Sequence, residues 1–371
     1  MRKLASIQRI SKLEPIEGAD RIEKATVLGW ELVVKKGEFK ENDLCVYCEI
    51  DSVLPERPEF EFLRDRKFRI KTIKLRGQIS QGICFPLSIL PGLTFDNTEG
   101  LDVTEILGIT KFEPYKDLKL AKQSGKISYP NWWPGWVQKF AHRFKFIKNY
   151  YRKHSGQKSF PSLIPKTDET RVQVLQPLLD KYKGYDCYIT EKLDGSSITI
   201  YQINGKFGVC SRNVDLKRDK NCQYWNIVLE HDLENKFKKE FGKRNIALQG
   251  ELIGIGVQGN KYNLDKLDIY FFNLYDIDKH CYQNWYELKL TCEGLKEKTV
   301  PVLTTKFNLN HSIPELVELS KGNSVLNYKI PREGIVIRPI LEYEDYDLHC
   351  QLVKNRVSFK VVNPDFLLKY D

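Results

Sequence analysis

Over the first 110 positions, apolar and polar residues alternate in short runs separated by turn residues. Trp30, Leu32 and Val34 fall on one face of a strand, and Lys36-Gly37 turns the chain. Leu44–Ile50, Phe68–Ile73 and Gly82–Phe85 continue the pattern, which predicts a small β-barrel over residues 1–110. From about residue 160 to 371, strand-period and helix-period segments mix, so this part reads as α+β. Within it, Tyr224, Val228, Leu229, Leu233, Phe237 and Phe241 recur at helical spacing, predicting one amphipathic helix packed on a core. Between the two lies a connector, residues 111–159. After a broken stretch at Pro130–Gly135, its Trp136, Phe140, Phe144, Ile147 and Tyr151 recur at helical spacing.

One short segment offers chemistry. Tyr188, Ile189, Ile198 and Ile200 are β-formers that flank Thr190-Glu191-Lys192-Leu193-Asp194-Gly195-Ser196-Ser197, predicting strand, tight turn, strand. Asp194-Gly195 supplies the turn, and Gly195 allows backbone to approach a ligand closely. Lys192 then sits at a strand end, pointing into whatever pocket the sheet forms. Its amine can attack a phosphate only when unprotonated. With a reference pKa near 10.4, neutralising it at pH 7 opposes about 3 units, or about 4–5 kcal/mol. Desolvation, a bound metal or neighbouring cations must supply that shift. Alone, Lys-x-Asp-Gly reads first as a β-hairpin carrying a surface lysine; the further matches downstream overturn that reading.

Composition narrows the setting. The chain has 371 residues, enough for two domains, and 41% hydrophobic content supports real cores. No apolar run approaches a membrane span, and the N-terminus lacks the apolar core of a signal peptide. Nine scattered cysteines form no framework, so a reducing, intracellular setting (cytoplasmic or nuclear) is expected. Cys45 and Cys48 form the one CxxC, inside a strand-like run, and read as core or edge thiols. Charge changes the picture most. Between Lys116 and Lys158 stand eleven Lys/Arg and one acid, an excess equal to the whole chain's net +10. The same stretch holds Trp132, Trp133 and Trp136. Such a segment could dock its apolar face on a domain, track nucleic acid or lie on an anionic membrane. Beside a nucleotide pocket, the first barrel is expected to be of the OB type.

Further candidates follow in order along the chain. Gly250-Glu251-Leu252-Ile253-Gly254 presents a carboxylate suited to ribose hydroxyls. Phe272, in Tyr270–Asp276, offers a face that could stack on a purine. Glu333 opens the apolar strand Gly334–Arg338 and could help hold Mg²⁺ on phosphate oxygens. Lys360, in Val357–Val362, could neutralise phosphate charge in a transition state. Gly254-Ile255-Gly256-Val257-Gln258-Gly259 satisfies GxGxxG. However, Asn260-Lys261-Tyr262-Asn263 does not begin a helix, so it reads as a glycine-rich loop closing the Glu251 strand.

Together these segments resemble the covalent nucleotidyltransferase superfamily, and in particular ATP-dependent RNA ligases with an OB-like module before the catalytic domain. Glu191-Lys192-Leu193-Asp194-Gly195 is similar to the family's attachment motif, and Ser211-Arg212-Asn213 to the short motif after it. Pro15–Asp20, Gly29-Trp30, Val34–Phe39 and Glu49–Ser52 resemble its N-terminal module, and Phe160-Pro161 with Ile164–Arg171 its domain entry. The resemblance implies an OB-like module over 1–110 and a basic connector over 111–159. Over 160–371 it implies an ATP-grasp-like ligase domain of antiparallel sheets and helices. It also implies nucleotide contacts from Glu191, Asp194, Gly195, Arg212, Glu251, Phe272 and Lys360, with Glu333 at the metal. Superfamily members often carry two lysines two apart in the last motif. Here Lys360 stands alone, and Lys369 is the candidate substitute. The connector has no counterpart in that pattern.

What the resemblance implies is a three-step reaction needing ATP and Mg²⁺ or Mn²⁺. Lys192 attacks ATP and holds AMP, AMP passes to a 5′-phosphate, and an RNA 3′-hydroxyl displaces it, as in sealing nicks for RNA repair. Glu191 could accept from adenine's exocyclic amine and repel guanine's carbonyl, favouring ATP over GTP. The expected partner is RNA or an RNA-containing duplex, contacted by Arg212, Asn213, Lys139, Arg143 and Lys148, with no membrane and no obligate protein partner. A non-catalytic RNA-binding protein on a ligase scaffold is an alternative that retention of Lys192 and Glu333 disfavours. A DNA ligase or capping enzyme is another, and the module's position before the catalytic domain counts against it.

Overall fold

The computed structural model describes residues 3–90, 98–112, 133–144, 147, 158–348 and 352–370. At the N-terminus, β1 (Ala5–Pro15), β2 (Ile22–Val27), β3 (Trp30–Lys35), β4 (Leu44–Cys48) and β5 (Ile83–Phe85) form an antiparallel sheet ordered β3-β2-β1-β4-β5. β1 is long enough to serve two partners. Ala5–Arg9 pairs with β4 and Ile10–Pro15 with β2, and the register shifts at Ile10/Lys12. That irregularity bends the strand, so the sheet curls into a nearly closed barrel. Trp30, Leu32 and Val34 are buried as their alternation predicts, packing with Ile7, Ile10, Tyr47 and Phe60. Cys45 and Cys48 are core thiols, with Cys45 Sγ 3.3 Å from Cys84 Sγ.

The predicted strand Phe68–Ile73 is largely not one. Lys67 and Phe68 take left-handed φ values of 52° and 58°, which break a ladder; only an isolated bridge of Arg69 to Val53 forms before the strand Ile73–Leu75. In the connector, α1 (Gly135–Arg143) is helical as expected. Trp136 is 73% and Phe140 58% exposed, so these two aromatics are not docked on a domain. Lys148 and Tyr151 lie outside the described residues, as does Lys139's side chain.

Two sheets follow. The larger contains β7 (Ser196–Ile203), β8 (Lys206–Ser211), β9 (Val214–Leu216), β10 (Ile246–Ile253) and β11 (Asp268–Asp276), ordered β9-β8-β7-β10-β11, with short strands at both ends. The smaller contains β6 (Asp186–Lys192), β12 (Val302–Asn308), β13 (Gly334–Pro339) and β14 (Phe359–Val362), ordered β14-β13-β6-β12, with Thr170–Arg171 pairing parallel to β14. Helices Gln223–Glu230, Leu233–Phe241 and Trp285–Leu295 cover the larger sheet, and Gln176–Lys181 and Ile313–Ser320 the smaller.

The single helix expected over 224–241 is two. Asp232 adopts φ 52°, which no helix interior tolerates, and Leu229 is left exposed. Glu297, buried behind that break, accepts from Lys236 Nζ at 2.7 Å and lies 2.8 Å from His231 Nδ1. Glu297's carboxylate raises the His231 imidazole above its ordinary value, with burial opposing. Such a group contributes stability that is fully present below the unfolded pKa of about 6.5 and is lost as pH rises through the raised folded value. We therefore expect His231→Gln to lower the melting temperature by a few degrees at pH 6 and hardly at all at pH 9. An equal loss at both pH values would rule out this linkage.

The barrel and the sheets touch at specific points. Gly29 N–H donates to Gln173 O at 2.7 Å, and a Cβ there would lie 2.5 Å from Ile313 Cδ1, so only glycine fits. Asp51 pairs with Arg69 at 2.9 Å and with Arg171 at 3.2 Å, beside the edge of the smaller sheet.

Candidate active site

Lys192 is the last residue of β6, and the chain turns through Leu193, Asp194 and Gly195 into β7. The two strands belong to different sheets, so the segment is a crossover and not the hairpin its turn residues allowed. Every residue from Cys187 to Glu191 is buried, and Leu193 is buried with Ile253, Tyr262, Tyr270 and Val300 under the turn. Gly195 is needed for close approach of the turn to β10. A Cβ there would meet Leu252 O at 2.4 Å and Glu251 Cγ at 2.9 Å, both from β10. Its N–H donates to Glu251 Oε1 at 3.1 Å, which fixes that carboxylate against the turn.

The crossover opens a solvent-connected cleft enclosing about 470 Å³ of empty space. Lys192, Glu191, Glu251 and Phe272 line it, as do Thr167, Glu169, Thr190, Val336 and Arg338. Phe272 reaches it through a bulge. β10 and β11 pair Gln249 with Asn273 and Gly250 with Phe271, leaving Phe272 as the unpaired extra residue. A bulge re-aims a side chain in this way. Buried Arg338 holds the bulge in place, donating to Phe272 O at 3.4 Å, Glu169 Oε1 at 2.8 Å and Ser358 Oγ at 2.9 Å.

Lys360 joins the same face by register. Thr190 is opposite Val336 and Val336 opposite Lys360, and directly paired residues share a face. Lys192 Nζ donates to Glu333 Oε1 at 2.6 Å, while Glu333 Oε2 is buried without a hydrogen-bond partner. Glu191 Oε2 accepts the Val325 N–H at 2.8 Å, and its Oε1 is likewise buried and unpartnered.

Electrostatics run opposite to a cation-activated lysine. Burial pushes the Lys192 amine down, but Glu333, Glu251 and Asp194 together outweigh it and hold the amine above its ordinary value. The neighbours are carboxylates, not cations. Crowding has its counterpart on the acids. Burial, with Glu333 and Asp194 adding and Lys192 opposing, pushes Glu251 up to about 8. Burial raises Glu333 against the pull of Lys192, and burial raises Glu191. Among these acids the Lys192 amine is favoured in its charged form. Charge brought into the cleft must change the balance before it can react.

Other expected residues lie elsewhere. Arg212 is exposed beyond β8 and paired with Asp168, and Asn213 Oδ1 accepts from Lys166 Nζ at 2.8 Å. Exposed Lys369, on the terminal helix Pro364–Tyr370, lies 5.3 Å over the Tyr370 ring and does not line the cleft. The cation that does reach the turn is Lys261, whose amine contacts Asp194 Oδ2. It sits in the glycine-rich loop after β10, which forms a 3₁₀ turn and no helix. Arg338, Thr167 and Glu169 fall in segments whose family likeness was visible, whereas Lys261 and Val300 carried no signal. Among the described residues, no group of three or more His, Cys, Asp or Glu is arranged as a ready metal cage.

Comparison with known proteins agrees with this geometry. No curated protein sequence matches the chain. An OB-fold domain model matches residues 4–87 and an RNA ligase model residues 186–362. Solved structures of Naegleria gruberi RNA ligase are similar over almost the full length. A mutant with ATP and Mn is 34% identical, covers 99% of this chain and 99% of that chain, and superposes with a TM-score of 0.81. The same ligase with PPi is 34% identical over 100% and 99% of the two chains, with a TM-score of 0.79. A mutant with AMP and Mn is 34% identical over 99% of each, with a TM-score of 0.79. With an N-terminal OB fold, two sheets meeting at Lys192 and this full-length likeness, the chain belongs to the RNA ligase family.

Proposed function

We propose that the protein joins RNA ends through a lysyl-AMP intermediate built on Lys192, using ATP and Mg²⁺ or Mn²⁺. One observation carries this reading. Lys192 lines a cleft together with a bulge-presented aromatic and Glu191, its amine bonds Glu333, and each of these two acids keeps a buried, unpartnered carboxylate oxygen. The Lys192 ammonium first loses one proton, on the side where Glu333 Oε1 accepts its hydrogen bond; the neutral Nζ then attacks the α-phosphorus, the P–N bond forms as the bond to pyrophosphate breaks, and the second N–H proton leaves to solvent. Phe272 stacks on the purine. Glu251 takes ribose hydroxyls, and Asp194 and Gly195 hold the turn beneath the phosphate. Lys360 steadies the α-phosphate, and Lys369, exposed on the terminal helix, is the candidate to assist it. The unpartnered Glu333 Oε2, with Glu251 beside it, fits a divalent cation. When bound, such an ion offsets the acids that now hold Lys192 protonated.

AMP then passes to a 5′-phosphate and a 3′-hydroxyl displaces it, with nicked duplexes as the repair substrate. Arg212, Asn213, Lys139, Arg143 and Lys148 are the proposed RNA contacts. No helix of the described residues is long and apolar enough to cross a membrane. The test is incubation with α-labelled ATP and Mg²⁺ without RNA, beside α-labelled GTP. Label on the protein from ATP supports adenylyl transfer. No label from a folded, pyrophosphate-stripped sample would favour a binding protein on a ligase scaffold, and label from GTP the capping alternative.

Glu191 supplies a specificity prediction. Its unpartnered Oε1 suits the adenine amine and would face guanine's carbonyl as a second acceptor. Losing one such contact is worth about 1–3 kcal/mol. Glu191→Gln, whose amide can also donate, should cut the ATP-over-GTP preference in labelling by about 10–100-fold. An unchanged preference would place base recognition elsewhere.

A further inference from the structure

Asp194 is held by one short loop that none of the family-like motifs contains. Tyr262 OH accepts the Asp194 N–H at 2.6 Å, and the neighbouring Lys261 ammonium contacts Asp194 Oδ2, with side chains only 18% and 20% exposed. Successive loop residues thus fix the backbone and the side chain of the same aspartate. The loop itself is tied down, since Asn327 Nδ2 donates to Lys261 O at 3.1 Å.

The same ammonium is seated on two aromatic rings of the terminal helix, 5.3 Å over Phe366 and 5.1 Å over Tyr370. That helix is anchored where it matters. Asn363 N–H donates to Glu333 O at 2.9 Å, and Asn363 Nδ2 to Arg332 O at 3.0 Å. Leu367, one turn further, packs against the barrel core. A flexible lysine stem would ordinarily sample many rotamers. Here an anion and two ring faces select one of them.

We propose that Lys261 is a positioning residue for adenylyl transfer, and that Phe366 and Tyr370 form the seat that holds its ammonium on Asp194. By pairing with Asp194, Lys261 fixes the orientation of one of the three carboxylates around Lys192 and compensates its charge. The terminal helix thereby reports the docked state of the barrel to the attachment turn. This rests on the reading of Lys192 as the attachment site.

The test uses the full chain and single-turnover labelling with α-labelled ATP over a range of concentrations, separating the saturating rate from half-saturation, alongside thermal melts. Lys261→Met keeps the stem and removes the charge, and should lower the saturating rate by about tenfold with half-saturation changed by less than about threefold. Lys261→Arg keeps charge and ring stacking and should recover most of the rate. Tyr370→Leu, which removes one ring face, should lose about threefold. A Lys261→Met rate within about twofold of wild type overturns the proposal. So does a loss that Lys261→Arg does not rescue and that tracks a fall in melting temperature, since that is a folding effect. Wild-type protein that takes no label removes the attachment reading itself, a failure separable from the first two because both require a labelled wild type.

Discussion

We expect Lys192→Ala to retain no labelled AMP and to lose ATP-dependent RNA sealing by about 10⁴–10⁶-fold, the scale seen when a covalent nucleophile is removed. Among the described residues, no second amine is placed to take over. Lys261 is engaged with Asp194 and two rings, and Lys360 stands two strands away across the smaller sheet. Lys192→Arg sharpens the test. A guanidinium keeps the positive charge that Glu333 and Glu251 attract, yet it cannot surrender its proton at any working pH. If Lys192 served only as a buried counter-ion, arginine would restore activity. If it attacks phosphorus, arginine is as inert as alanine. The covalent role is confined to the first step, so a nick already carrying 5′-AMP should still be sealed by Lys192→Ala without ATP. Labelling, sealing of plain and pre-adenylylated nicks, and a thermal melt on the same preparations decide the matter. Wild-type labelling of Lys192→Ala would place the nucleophile elsewhere.

The legible parts of this protein were those whose signal is local. Trp30, Leu32 and Val34 announce their strand because period-2 burial is written in consecutive residues. Lys192, Glu251, Glu333 and Phe272 could be named because each sits in a short motif of fixed spacing, and the cleft brings Lys192, Glu251 and Phe272 to one wall, with Glu333 bonded to Lys192. What could not be read depends on partners distant in sequence. Gly195 looks like a turn glycine, yet its missing Cβ is required by Leu252 O on a strand that begins some fifty residues later. Nothing near Thr190–Ser197 reveals that its two strands enter different sheets, because strand pairing is set by β10 and β13. The bulge that frees Phe272 is likewise a property of two strands. Helical periodicity runs smoothly through His231-Asp232, and only the left-handed backbone there splits the helix. Lys261 reaches the site through a loop whose glycines suggested nothing but a turn.

The second large effect is expected at Glu333, where two roles predict different outcomes for Glu333→Gln. The amide keeps the shape and an acceptor for the Lys192 hydrogen bond but removes the charge. If Glu333 only restrains Lys192, its loss relieves an acid that now holds the amine protonated, and labelling should change little or rise. If Glu333 carries a divalent ion, labelling should fall by about 10²–10³-fold and require more Mg²⁺ or Mn²⁺ for half-maximal rate. The structure favours the second. A counter-ion role uses Oε1 alone, yet Oε2 is also buried with no hydrogen-bond partner, an arrangement costing about 1–3 kcal/mol. Native proteins leave few such groups, and those they leave tend to face a ligand or ion. Stability separates the roles independently. Replacing Glu333 by a neutral amide removes an orphaned anion but also the nearest counter-ion of the Lys192 ammonium, while the amide oxygen, Glu251 and Asp194 remain, so the melting temperature should stay near wild type even as activity is lost. A melt near wild type, together with a labelling rate that recovers as Mn²⁺ is raised, would identify Glu333 as the metal-site acid. Labelling within about fivefold of wild type at every metal concentration would assign it to Lys192 alone.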